Sequence, residues 1–155
     1  MGGLPVRDLS ISYNQLGDLA RASGQAHEAE RLYRQSLTIP ARLAQAEPGN
    51  TEYARDLSIS YERLGSMDLD EGRTLEAVGW FQRATTVRRR IFEQESFRVD
   101  LAEELGVAIV LLAQAVQNAV DAAQELIAML TPFEQDGALT SKGIALLRWA
   151  REVPS

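Results

Sequence analysis

The sequence predicts an all-α protein built of stacked antiparallel helix pairs, and three observations predict it. Sliding the 155-residue chain by 48 positions lays Arg7–Tyr13 on Arg55–Tyr61 with seven identities in a row, RDLSISY on RDLSISY. Apolar residues recur at three- and four-residue spacing through both copies, the period of a helix with one packed face. The composition agrees: 45% of residues are hydrophobic but only 6% aromatic, so the core must be filled by aliphatic and small side chains, as helix-on-helix packing allows.

The repeat reaches well past the heptapeptide. Leu16-Gly17 recurs as Leu64-Gly65, Gly24 as Gly72, and Glu28-Ala29 as Glu76-Ala77. Of the 41 aligned positions from 7 to 47, 15 are identical, and many of the others are conservative, Tyr33 against Phe81 among them. Chance does not produce that, so each copy is one structural unit.

In the first copy, residues 5–47, Leu9, Tyr13, Leu16 and Ala20 form the apolar stripe of a first helix. Gly24 supplies the tight turn, where positive φ is needed. A second helix runs from Ala26 to Glu47 with Ala29, Leu32, Tyr33, Leu37 and Leu43 as its stripe. Pro40 falls inside that helix, where it removes one backbone hydrogen bond and is expected to kink the chain. Pro48-Gly49-Asn50 ends the copy.

The second copy, 51–95, repeats this plan, with Ser96 as the expected cap of the helix that follows. A third, degenerate copy is expected over 97–130. Its Leu105-Gly106 falls 41 positions after Leu64-Gly65, but Asn118 stands where alanine belongs, which implies a shift or insertion. From Leu105 to Leu130 the residues are apolar almost all round, so this stretch must be buried on several sides, by a terminal helix or by a second chain. Thr131-Pro132-Phe133-Glu134 has the form of a capping box opening a short turn. A last helix is expected over 139–153.

These positions resemble the tetratricopeptide repeat family. Its motif has an aromatic residue, Leu-Gly three residues on, then an alanine followed after four residues by another aromatic. Here those are Tyr13, Leu16-Gly17, Ala29 and Tyr33, and again Tyr61, Leu64-Gly65, Ala77 and Phe81. The resemblance covers residues 7–95 strongly, 97–130 weakly, and the rest not at all. The 48-residue period exceeds the family's usual 34, so the helices are longer, and the family's late proline is missing from its place. The resemblance implies a single domain over 1–155, a right-handed superhelix (an α-solenoid) of three antiparallel helix pairs closed by a capping helix.

It also implies a function: a protein- or peptide-binding scaffold or adaptor, working through a concave groove lined by the first helix of each pair. Residues of those helices outside the apolar stripe are the groove candidates: Asn14, Asp18 and Arg21, then Glu62, Ser66, Leu69 and Asp70, then Glu103. The set leans acidic, which suits a basic or amphipathic peptide. The second reading is a homo-oligomerising or regulatory module of a larger signalling protein, associating through the apolar third repeat.

Other function classes fare poorly. A net charge of −6 repels phosphate backbones, so no nucleic-acid partner is expected. The chain has no cysteine and a single histidine, His27, so no zinc–sulfur or multi-histidine metal site is expected, nor any cofactor. Glu103-Glu104 and Asp68, Asp70 and Glu71 lack a histidine partner and read as solvated helix faces, so the chain is not expected to be an enzyme. Arg88-Arg89-Arg90 reads as helix surface pairing with Glu93 and Glu95. The longest apolar run, Val107–Ala113, is far short of the roughly 20 residues of a membrane span. The N-terminus shows no signal core and no basic leader, and a soluble, cytoplasmic protein is expected.

Overall fold

The computed structural model describes residues 3–155, with side chains described from Val6 onward. Met1 and Gly2, part of the expected free terminus, lie outside the described residues. Among the described residues there are seven helices and no strand: α1 (Gly3–Ala22), α2 (Ala26–Ala46), α3 (Thr51–Asp70), α4 (Thr74–Gln94), α5 (Val99–Val116), α6 (Val120–Gln135) and α7 (Ser141–Glu152). The fold class is the expected one, all-α with consecutive helices packed on each other as in a helical-repeat chain. The helices fall into two compact units, residues 1–87 and 88–155, with the boundary inside α4.

In the first unit α2 packs against both α1 and α3. The motif glycines make the close approach possible. A Cβ on Gly17 would lie 2.5 Å from the Tyr33 ring, and one on Gly65 would lie 2.6 Å from the Phe81 ring. Both distances are below van der Waals contact, so each glycine is the seat of the aromatic ring from the following helix. Tyr33, Leu32, Ala29, Leu64 and Met67 form the buried cluster around it. Gly24 and Gly72 take the positive φ of the inner turns, 76° and 79°.

Pro40 sits inside α2 and is buried. It has no N–H to give to the carbonyl of Ser36, four residues back. That carbonyl is satisfied from outside the helix: Ser10 Oγ donates to it at 3.1 Å, and Ser36 Oγ donates to the Ser10 carbonyl at 2.9 Å. The lost bond of the proline thus becomes a clasp between α1 and α2.

In the second unit α5 and α6 pack together and α7 lies against both. Leu105, Ile109, Leu126, Leu130 and Leu147 form its core. The apolar excess of the third copy is therefore met largely by the terminal helix. The first helix of each earlier pair ends five residues past its motif glycine, at Ala22 and Asp70, whereas α5 runs ten past Gly106, to Val116. That is the insertion announced by Asn118, which falls in the turn and donates its N–H to the Ala113 carbonyl. Gln117 makes the turn at φ 56°, a left-handed position.

Two local expectations are corrected. Thr131-Pro132 opens no new helix: α6 runs through it to Gln135, and Thr131 Oγ1 turns back to the Ile127 carbonyl at 2.6 Å. The cap of α5 is Arg98 rather than Ser96, with the Arg98 guanidinium bound to Glu95 and Asp100. No helix among the described residues is long and apolar enough to cross a membrane.

Candidate functional site

Of the groove candidates in the first unit, Asn14, Asp18, Arg21 and Asp70 lie on the face between α1 and α3. Among the described residues four ion pairs join the two helices: Arg7 to Glu52 and to Asp56, Arg63 to Asp18, and Arg21 to Asp70. Asp18 is the centre of this network. Its carboxylate accepts from Arg63 Nε at 3.1 Å and Nη2 at 3.2 Å, and from the Tyr33 hydroxyl at 2.6 Å. Burial works against the charged carboxylate, but the Arg63 and Tyr33 hydrogen bonds and the charges of Arg63 and Arg21 outweigh it, so the Asp18 pKa is held below its ordinary value. Tyr33 shows the converse. Burial first, and the Asp18 carboxylate second, push its phenol up to about 12.

Two cavities open on this face. The larger, of 530 Å³, is bordered by Asp18, Arg21, Tyr33 and Asp70. The smaller, of 220 Å³, is bordered by Ser10, Asn14, Gln15, Asp56 and Arg63. Asn14 is buried, and its Oδ1 has no hydrogen-bond partner. Such an acceptor costs about 1–3 kcal/mol if nothing donates to it; among the described residues Ser60 Oγ on α3 is likewise buried without a partner.

The remaining candidates are scattered. Ser66 offers its carbonyl to Arg21 at 3.4 Å, while Glu62 and Leu69 are half-buried. Glu103 is buried inside the second unit. It accepts from Thr140 N at 2.8 Å and Thr140 Oγ1 at 2.7 Å, and so caps α7 from the side of α5.

Sequence reasoning missed Arg63, Asp56 and Tyr33 as members of the site. Arg63 adjoins Glu62 on α3, and its pairing with Asp18 spans 45 residues, which no local pattern reveals. Tyr33 was assigned wholly to the core, and its ring is there, but its hydroxyl reaches the Asp18 carboxylate. The arginine run also pairs at longer range than expected. Arg88 meets Glu104 at 3.0 Å and Arg89 meets Glu125, both on other helices. In the second unit an apolar cavity of 650 Å³ lies beside Phe92, Leu105, Met129 and Phe133, and none of the predicted residues borders it.

A comparison with protein families matches the tetratricopeptide repeat over residues 10–43. The matched stretch begins at Ser10 on α1 and ends at Leu43 on α2, so it contains Tyr13, Gly17, Ala29 and Tyr33. No curated protein matches the chain. Tetratricopeptide repeats generally mediate protein–protein interactions. The family match lies on the helix pair whose Gly17 seats the Tyr33 ring, and over that pair the chain is similar to a tetratricopeptide repeat.

Proposed function

We propose that this chain is a binding scaffold that holds an extended peptide segment of another protein along the face shared by α1 and α3. The observation that carries the reading is Asn14 Oδ1, a buried acceptor without a partner beside a 220 Å³ cavity. That volume is smaller than the roughly 300–1,000 Å³ of a small-molecule cleft. It takes one side chain or a short piece of backbone, and a peptide N–H would meet the acceptor. The rigid pairs Arg7–Asp56 and Arg63–Asp18 hold the two walls together, so little ordering is lost when a ligand arrives.

The pairing also refines the partner. Asp18, Asp56 and Asp70 are each neutralised by an arginine across the face, so the groove is less acidic than its sequence. Backbone hydrogen bonding and shape, rather than a basic ligand, then supply most of the affinity.

The test is a displayed library of extended peptides panned against the whole chain, with the selected peptides titrated against Asn14→Leu. Binding is expected to weaken at least about tenfold, the worth of one hydrogen bond to a buried group plus its steric block, at an unchanged melting temperature. Equal binding to Asn14→Leu would show that the groove is not the site.

A further inference from the structure

The cavity of the second unit measures 650 Å³, within the roughly 300–1,000 Å³ of a small-molecule cleft. All its bordering residues lie between 89 and 136, on the end of α4, the turn after it, α5, and α6 with its cap. The buried Leu105 and the half-buried Phe92, Met129 and Phe133 make its inner wall. The Phe92 and Phe133 rings lie 6.5 Å apart, tilted by 54°. Phe97, in the turn, also borders the cavity and is 79% exposed. A ligand that covers these rings gains apolar burial, and the ring faces attract a cation.

The charge at the mouth has one sign. Four charged side chains border the cavity: Arg89, Glu93, Glu125 and Asp136. The sequence pattern sets the arginine run against Glu93, but Arg89 pairs with Glu125 on α6. Glu93 and Asp136 are exposed and, among the described residues, in no ion pair. Their two carboxylates therefore set the sign of the mouth. Pro132 adds a backbone acceptor. It has no N–H for the Ala128 carbonyl four residues back, and both residues border the cavity.

We propose that this cavity binds a small amphipathic organic cation, a protonated amine carried on an aromatic or aliphatic body. The rings and Met129 take the body. Glu93 and Asp136, with the Ala128 carbonyl, attract the ammonium. An anion of the same shape meets uncompensated carboxylates, and a neutral molecule leaves them unused. The cavity shares no bordering residue with the two on the α1–α3 face, so it stands or falls separately from the peptide reading.

Three probes of similar shape separate charge from burial: phenylbutylamine, phenylbutanol and phenylbutyrate. Each is titrated into the isotope-labelled whole chain and followed by amide chemical shifts in nuclear magnetic resonance. Saturable shifts around Phe92 and Phe133 are expected for the amine, with the alcohol about fivefold weaker, the scale of two exposed charge contacts, and the acid weaker again. Glu93→Gln combined with Asp136→Asn should remove the advantage of the amine and leave the alcohol unchanged. Ala128→Trp, at an exposed position of α6, should abolish binding of all three with circular dichroism unchanged. Equal affinity for amine and acid overturns the proposal, as does an amine preference that survives in the double variant. So does absence of saturable shifts, or a dimer lost in Ala128→Trp that excludes the amine, since a second copy would then be the occupant. Displacement of the amine by a blocked phenylalanyl-lysyl-phenylalanine peptide binding more tightly than the amine itself would give the cavity to a peptide segment, and overturns the proposal too.

Discussion

The two copies of RDLSISY begin from the same seven side chains and end in different structures, and the difference lies in their neighbours. In α3 the heptapeptide is an internal layer. Leu57 and Leu64 are buried, Leu64 in one cluster with Leu32 and Tyr33 of α2, and Ser58 Oγ turns back to the Ala54 and Arg55 carbonyls of its own helix. In α1 the same leucines face outward, while Ser10 reaches across to α2 to satisfy the carbonyl that Pro40 leaves bare. The second copy has Arg88 in place of that proline and Ala84 in place of Ser36, so Ser58 has no such task. A residue's role here is set by what the next helix offers, and identity of sequence does not carry identity of energy.

The largest expected effect separates the leucines. Leu64→Ala removes a fully buried side chain and should cost about 2–5 kcal/mol in chemical denaturation. Leu16→Ala should cost less than about 1 kcal/mol, since exposed substitutions away from special features stay near zero. Helix propensity is the same at both sites, so the gap between the two reports burial alone. Equal costs would mean that the face of α1 is covered in solution.

A smaller gap is expected at the serines. Ser10→Ala leaves the Ser36 carbonyl buried without its donor, while Ser36 Oγ keeps the carbonyl of residue 10, and should cost about 1–3 kcal/mol. Ser58→Ala gives up hydrogen bonds to carbonyls that already serve its own helix, and should cost under about 1 kcal/mol. Replacing Pro40 with alanine restores an N–H for the Ser36 carbonyl, so the penalty of Ser10→Ala should shrink in that background. A penalty unchanged by Pro40→Ala would break the link between proline and clasp.

The same contrast explains what could be read in advance. Periodicity and the spaced glycines place the helices of both copies well, because Gly17–Tyr33 and Gly65–Phe81 are contacts between sequence neighbours in one pair. The open face of α1 was invisible to pattern, since Leu9 and Leu16 sit in the same string as Leu57 and Leu64. Charge was likewise misjudged where it is paired at a distance: Asp18 with Arg63, Glu103 with Thr140. Local signals also misled where a helix overrides them, as α6 does in running through Thr131-Pro132. Of the residues singled out in the sequence, Asn14, Asp18, Arg21 and Asp70 border cavities between α1 and α3, but the ion pairs that link them were not legible as a network.

The smallest effect tests a second polar pair that the second copy lacks, Tyr33 with Asp18. Phe81 and Ser66 occupy the positions of Tyr33 and Asp18, so only the first copy couples its core aromatic to the groove. The Tyr33 phenol is held neutral up to about 12, whereas an unfolded tyrosine ionises near 10. Between those values the unfolded chain has released the proton and the folded chain has not, so stability is complete below pH 10 and falls as pH rises toward 12. Asp18, whose pKa is depressed, acts in the opposite window: its contribution is present above the ordinary carboxylate pKa and is lost as pH falls below it. Tyr33→Phe should therefore flatten the alkaline loss of stability relative to the parent chain. It should also weaken the acid loss, because Asp18 keeps Arg63 but loses the Tyr33 hydroxyl. Denaturation curves of the two proteins between pH 9 and 12 measure the first effect. Parallel curves there would show that the Tyr33 hydroxyl is solvated in the folded chain, and that the two copies differ in packing but not in titration.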